Sequence, residues 1–203
     1  MYFVVDLEAT CWERRKARDR NEIIEIGLVV CNDDGESIGS YQSFVKPRFT
    51  PRLSSFCKRL TKIDQKWIDE APPLREVLSF MLGDIENKYE ISSQETPWAA
   101  FGNWDKKCLQ RDCERNDTLF PFGRCIDLKS LYTNFSGCDQ CGLRAAVKRE
   151  KLQWEGKHHR ALDDAINAAK LARILVTPEI LKLAREEEIY ATDEYGMDII
   201  PDD

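Results

Sequence analysis

The chain has 203 residues, 42% hydrophobic and 33% charged, which fits one globular domain with a single substantial core. No run approaches the ~18 apolar residues needed to span a bilayer, and no basic-then-apolar leader opens the sequence, so a cytoplasmic protein with no membrane partner is expected. A net charge of −6 argues against a nucleic-acid partner until it is mapped: eight acidic residues and no Lys or Arg fall between Glu186 and Asp203, leaving 30 basic against 28 acidic residues in the body of the chain.

In chain order, Tyr2-Phe3-Val4-Val5 is a β-favouring run leading into Asp6-Leu7-Glu8 and predicts the first strand. Strands are expected again at Ile23 to Cys31 and Ser37 to Val45, joined by the hairpin signal Asn32-Asp33-Asp34-Gly35. Leu53 to Leu60 reads as a short helix, and Pro72-Pro73 opens another, with Leu74, Val77, Leu78, Met81, Leu82 and Ile85 at core spacing. Trp98 to Phe101 is a short buried strand, and Asp105 opens a helix through Cys113. A strand at Arg124 to Ile126 precedes helices at Asp127 to Phe135, Gly142 to Lys151 and Ala161 to Leu175, with a last helix from Pro178 to about Glu188. A β-meander followed by alternating helices and strands implies an α/β domain over residues 1–188, built on a mixed sheet of about five strands flanked by helices. Residues 189–203 form an acidic tail expected to be flexible.

Of the eight cysteines, Cys31, Cys108, Cys113 and Cys125 lie in or beside apolar segments, where a thiol behaves as a small buried hydrophobe. Cys138-Asp139-Gln140-Cys141 is half a zinc site at best, or simply a loop before a helix. The basic runs at residues 14–18, Lys58-Arg59, Lys106-Lys107 and residues 148–151 can meet phosphates or can be solvated faces.

Asp6 and Glu8 are two apart on an extended backbone and therefore share one side of it. Such a pair can be a solvated turn, or it can hold a cation between two repelling charges. Asp105 follows a short strand, and Asp164 lies on the first turn of the late helix. Strand ends and helix starts gather along one edge of an α/β sheet. Four carboxylates there suit a pair of divalent ions and phosphodiester hydrolysis. His158 and His159, the only histidines, precede Asp164 by six and five residues, and an imidazole there can take a proton from the attacking water. Asp163 competes with Asp164 as a ligand, since neighbouring helical positions diverge by about 100°. Glu25, in an otherwise apolar strand, needs a cation or donor, either beside the metals or in a structural pair.

Asp6-Leu7-Glu8-Ala9-Thr10, Asn103-Trp104-Asp105 and His159-x-Ala161-x-x-Asp164-Ala165 resemble the three motifs of the DEDDh 3′→5′ exonuclease superfamily, which has a ribonuclease H-like fold. Cys11, Glu22 to Gly27 and Phe56-Cys57-x-x-Leu60-Thr61-x-Ile63 bring the resemblance nearest to the Eri-1-type exoribonucleases, over roughly residues 2–176. The resemblance implies that Asp6, Glu8, Asp105 and Asp164 hold two Mg²⁺ or Mn²⁺ ions and that His159 is the general base. It puts Ala9, Thr10, Cys11, Trp12, Trp104 and Thr61 against the terminal nucleotide, while Phe101 is either a stacking surface or core. Lys62 stands where family members often carry Gly, which makes it a candidate phosphate contact. The charged stretch Glu13 to Arg20 is a candidate substrate-gripping loop, and the acidic tail a competitor for it. The expected activity is a metal-dependent 3′→5′ exonuclease on single-stranded RNA 3′ ends, releasing nucleoside 5′-monophosphates. The alternatives are a DNA-directed proofreading or repair exonuclease and a binding module without catalysis. An aspartyl-phosphate phosphohydrolase is disfavoured because the late His-to-Asp motif has no place in that chemistry.

Overall fold

The structure is a computed structural model and describes residues 1–13 and 20–186. Strands β1 (Tyr2–Ala9), β2 (Ile23–Cys31) and β3 (Ser37–Phe44) form an antiparallel meander. Strands β4 (Trp98–Ala100) and β5 (Cys125–Asp127) continue the sheet in parallel from the other side of β1, giving the order β3-β2-β1-β4-β5. This is the expected mixed five-stranded sheet. The β2–β3 turn closes as its sequence requires: Gly35, at φ +76°, donates its N–H to the Asn32 carbonyl at 3.0 Å.

Eight helices are described: α1 (Ser55–Thr61), α2 (Gln65–Glu70), α3 (Leu74–Tyr89), α4 (Trp104–Arg115), α5 (Leu128–Ser136), α6 (Leu143–Arg149), α7 (Ala161–Leu175) and α8 (Pro178–Arg185). Helix α2 escapes the sequence pattern because it is six residues long and buries only Ile68; its start is set by Asp64, whose side chain accepts the Lys66 N–H. Helix α8 stops at Arg185, before the expected Glu188. Most of the basic stretch (residues 14–19) and the tail at 189–203 lie outside the described residues. No helix among the described residues is long and apolar enough to cross a membrane.

Strand β1 divides the core by alternation. Tyr2 and Val4 pack with α5, α6 and α7, while Phe3, Val5, Leu7 and Ala9 pack with α3 and α4. Each fully buried Val, Leu or Phe among these is worth about 1.5–3 kcal/mol. Asp6 and Glu8 continue the Tyr2 and Val4 face, so strand period alone aims both toward α7. The β1–β2 register sets Gly27 opposite Asp6 and Glu25 opposite Glu8.

Gly27 determines how near α7 can come. A Cβ at that position would lie 2.2 Å from both the Ala161 carbonyl carbon and the Leu162 nitrogen. The missing side chain lets the first turn of α7 rest directly on β2. Gly27→Ala would have to lift that turn, since the obstacle is backbone. It is expected to destabilise the fold by about 3 kcal/mol, measured by denaturant unfolding, whereas an unchanged midpoint would show that α7 is not seated there.

Candidate active site

The site is assembled from β1, α4 and α7. Leu7, between the two β1 carboxylates, donates its N–H to Asp105 Oδ1 at 3.0 Å. That bond ties the start of α4 to β1 and brings Asp105 beside Asp6 and Glu8. Asp164, on the first turn of α7, accepts the His159 N–H at 3.0 Å and lies 3.2 Å from His158 Nδ1. Asp6, Glu8 and Asp164 each offer an oxygen within 4.8 Å of the others. Asp163 turns away: it accepts the Lys157 N–H at 2.7 Å, and its carboxylate lies where a Cβ on Gly156 would be. Of the two adjacent aspartates, Asp164 is the one that faces Asp6 and Glu8.

Burial is the first cause of the electrostatics here, and mutual repulsion the second. Together they hold Asp6 and Glu8 well above the ordinary carboxylate range, with Asp105 adding most to the repulsion at Asp6 and Asp164 most at Glu8. Asp105 is pushed up to about 7, mainly by burial, against the N–H bond from Leu7. Burial also raises Asp164, partly offset by the His158 hydrogen bond. Among the described residues, no Lys or Arg forms an ion pair with any of the four. Carboxylate oxygens with no internal cation are the donor set that hard divalent ions take, so these residues fit a metal centre.

His159 closes the cleft at its rim, with 39% of its side chain exposed and Nδ1 3.9 Å from Glu8 Oε1. Its backbone adopts φ +65°, a left-handed conformation that disfavours side chains and recurs at functional positions. Its ring stacks on His158, with centroids 4.0 Å apart. Burial, followed by the charge of His158, lowers its pKa below the ordinary histidine value. The imidazole is therefore a neutral proton acceptor near neutral pH.

Glu25 belongs to the support of the site. It is fully buried and accepts two bonds from Arg160 Nε at 3.1 Å each and one from Arg160 Nη2 at 2.8 Å. It also accepts the Ala161 N–H at 3.2 Å and a bond from Gln42. The carboxylate thus pins the N-terminus of α7 to β2. The requirement for a buried cation partner was legible in the sequence; the identity of Arg160 was not. The 3.2 Å contact of His158 with Asp164 carries no sequence signal beyond its place beside His159.

A cleft of about 390 Å³ holds the cluster, lined also by Ala9, Cys11, Leu60, Phe101, Trp104 and Lys129. Trp104 is 44% exposed there, as a stacking surface must be. Phe101 is half-buried and serves both the core and the cleft wall. The Cys11 thiol hydrogen-bonds to that of Cys57, and the Cys11 carbonyl accepts from Ser54 Oγ at 2.5 Å. The side chains of two residues expected at the substrate are engaged within the fold. Thr10 is buried, with its hydroxyl accepting the Glu22 N–H at 3.0 Å, and Thr61 is buried and donates to the Cys57 carbonyl at 2.9 Å. Their short side chains complete local backbone hydrogen bonding and do not reach the cleft. Trp12 and the exposed Lys62 do not line it either. Lys62 caps α1 at φ +61°, where a glycine would avoid the Cβ penalty of about 1 kcal/mol.

An exonuclease family model (RNase_T) matches residues 3–172. "ERI1 exoribonuclease 2" from Mus musculus is 33% identical over 192 residues, covering 83% of this chain and 27% of its own length. The "probable 3′-5′ exonuclease KapD" of Bacillus subtilis is 36% identical over 156 residues, covering 76% of this chain and 73% of its own. Among solved structures, the nuclease domain of 3′hExo, described as a DEDDh family member bound to rAMP, superposes with a TM-score of 0.78. That match has 28% identity and covers 86% of this chain and 90% of the other. The chain spans about a quarter of the length of the mouse and human ERI1 exoribonuclease 2 relatives that it matches.

Proposed function

The chain belongs to the RNase_T exonuclease family, within its metal-dependent DEDDh group, and on that premise we propose that it is a 3′→5′ exoribonuclease acting on single-stranded 3′ ends and releasing nucleoside 5′-monophosphates. One observation carries this: three carboxylates converge within 4.8 Å beside a half-exposed imidazole, in a cleft that also presents an exposed indole. Asp6, Glu8, Asp105 and Asp164 would hold two Mg²⁺ or Mn²⁺ ions. Bound there, such ions supply an activated water and charge stabilisation for in-line displacement at phosphorus. His159 takes the proton of the attacking water as the bond from phosphorus to the 3′-oxygen of the preceding nucleotide breaks. Trp104 stacks on a base, and the Ala9 and Cys11 segment forms the wall beside the terminal sugar.

The preference for RNA is supported by the relatives, whose names include exoribonucleases and one of which binds rAMP. The test is an end-labelled ladder assay on matched RNA and DNA oligonucleotides, with and without a blocked 3′ end. Stepwise shortening of unblocked RNA is expected. Equal internal cutting of blocked and free strands would sink the exonuclease reading, and faster loss of DNA would favour the proofreading or repair alternative. No turnover in Mn²⁺ would leave a binding module. We place the activity inside the cell, a reading supported by eight cysteines that form no disulfide with one another, which suits a reducing compartment.

A further inference from the structure

Once the carboxylates are occupied, the cleft still has to grip a polyanion. Among the described residues that line it, Lys129 carries the one ammonium or guanidinium group. Lys129 sits on the first turn of α5, which Asp127 caps by accepting the Lys129 N–H at 2.8 Å and the Ser130 N–H at 3.2 Å. That cap fixes the backbone from which the side chain leaves. Its stem lies along the turn joining β4 to α4: a Cβ on Gly102 would be 3.5 Å from Lys129 Cδ. Gly102, at φ +105°, thus presents bare backbone as a floor for the stem, two and three residues before Trp104 and Asp105. The side chain is half-buried, yet Nζ forms no ion pair and no hydrogen bond with the described residues. It also leaves the four nearby carboxylates alone. An ammonium guided into an acidic cleft and paired with none of its acids is available to an incoming anion.

We propose that Lys129 binds a backbone phosphate of the strand seated in the cleft, next to the base stacked on Trp104. The assignment rests on the exonuclease reading above. It gives the site the two elements of single-strand recognition, an aromatic platform and a cation tracking the backbone, on adjoining segments of chain. A phosphate contact made by a lysine is independent of sequence and releases a counterion.

The test uses the full chain carrying Asp105→Asn, so that bound RNA is not cut. The affinity for a short fluorescein-labelled single-stranded oligoribonucleotide is followed by anisotropy across a salt series. Adding Lys129→Ala is expected to weaken binding and to lower the slope of log K against log salt by about 0.7, the loss of one phosphate contact to a single strand. Lys129→Arg should restore the slope, which a merely structural role for the lysine would not predict. A Lys129→Ala slope equal to that of its parent overturns the assignment, and if the unmutated protein still shortens 3′ ends, the exonuclease reading stands without it. A protein that neither cuts nor binds the oligonucleotide overturns both.

Discussion

Asp105→Asn is expected to abolish 3′-end hydrolysis and, in the same protein, to raise the melting temperature of the metal-free chain. The first effect follows from removing one anionic donor of a four-carboxylate set, because charge stabilisation by bound metal is worth several kcal/mol in the transition state and each 1.36 kcal/mol is about tenfold in rate. The second follows from the cost of the empty cluster. The Asp105 carboxyl moves from 3.8 to about 7 in the fold, chiefly through burial. With its folded pKa above its unfolded one, its favourable contribution is complete below about pH 4 and is lost as pH rises through about 7. At about pH 8 the metal-free parent therefore folds around a buried carboxylate, whereas an asparagine there is neutral and still accepts the Leu7 N–H. The gain should be about 1–3 kcal/mol, and each kcal/mol moves the melting temperature by about 2–4 °C in a chain of this size. Thermal scans in EDTA should show the gain at about pH 8 and little of it at about pH 5. Mg²⁺ should stabilise the parent and leave the variant nearly unmoved. A variant less stable than its parent at the higher pH would refute the account of the cluster as mutually repelling.

His159→Ala is expected to slow hydrolysis by about 10²–10⁴-fold while leaving metal-dependent stabilisation of the fold intact. The ring lies at the cleft rim, 3.9 Å from Glu8 Oε1, and it is the His159 backbone N–H that bonds Asp164. Removing the ring therefore takes away the proton acceptor without taking away a carboxylate. Because burial and His158 lower its pKa, the parent's acid limb should fall below the ordinary histidine value of about 6.5. Single-turnover rates across about pH 5 to 8 should show that limb in the parent and lose it in the variant. A fall in rate confined to the apparent substrate affinity, with the limb retained, would make His159 a binding residue and assign the proton transfer elsewhere.

What the sequence disclosed was local. Alternation along β1 predicts that Asp6 and Glu8 share a face, and the five-residue step from His159 to Asp164 fits one cap and one helical turn. The Asn32 to Gly35 hairpin and the apolar spacing of α3 are equally local, and the structure has both. What stayed hidden depends on partners far along the chain. Glu25 announced a need for a cation, but its partner lies 135 residues away and only the docking of α7 identifies it. Gly27 looked like any glycine in a strand until α7 came to rest on it. Thr10 and Thr61 looked like polar residues beside a motif, and the close approach of the Glu22 and Cys57 backbones turned their hydroxyls inward. Lys129 had no periodicity or motif to mark it, and it became visible only when α5 met the β4–α4 turn.

The seating of α7 on Gly27 and Glu25 also sets when the carboxylate cluster is complete. Asp6 and Glu8 belong to β1, whereas Asp164, with His159 beside it, comes with α7. During synthesis β1 and β2 can pair and present Asp6 and Glu8 before α7 exists to complete the centre. On the proposed function, a chain still short of residue 164 lacks the fourth carboxylate, and cutting is expected only once β1, β2 and α7 have come together. Activity, if it follows the proposed function, would thus report completed folding more stringently than sheet or helix content does.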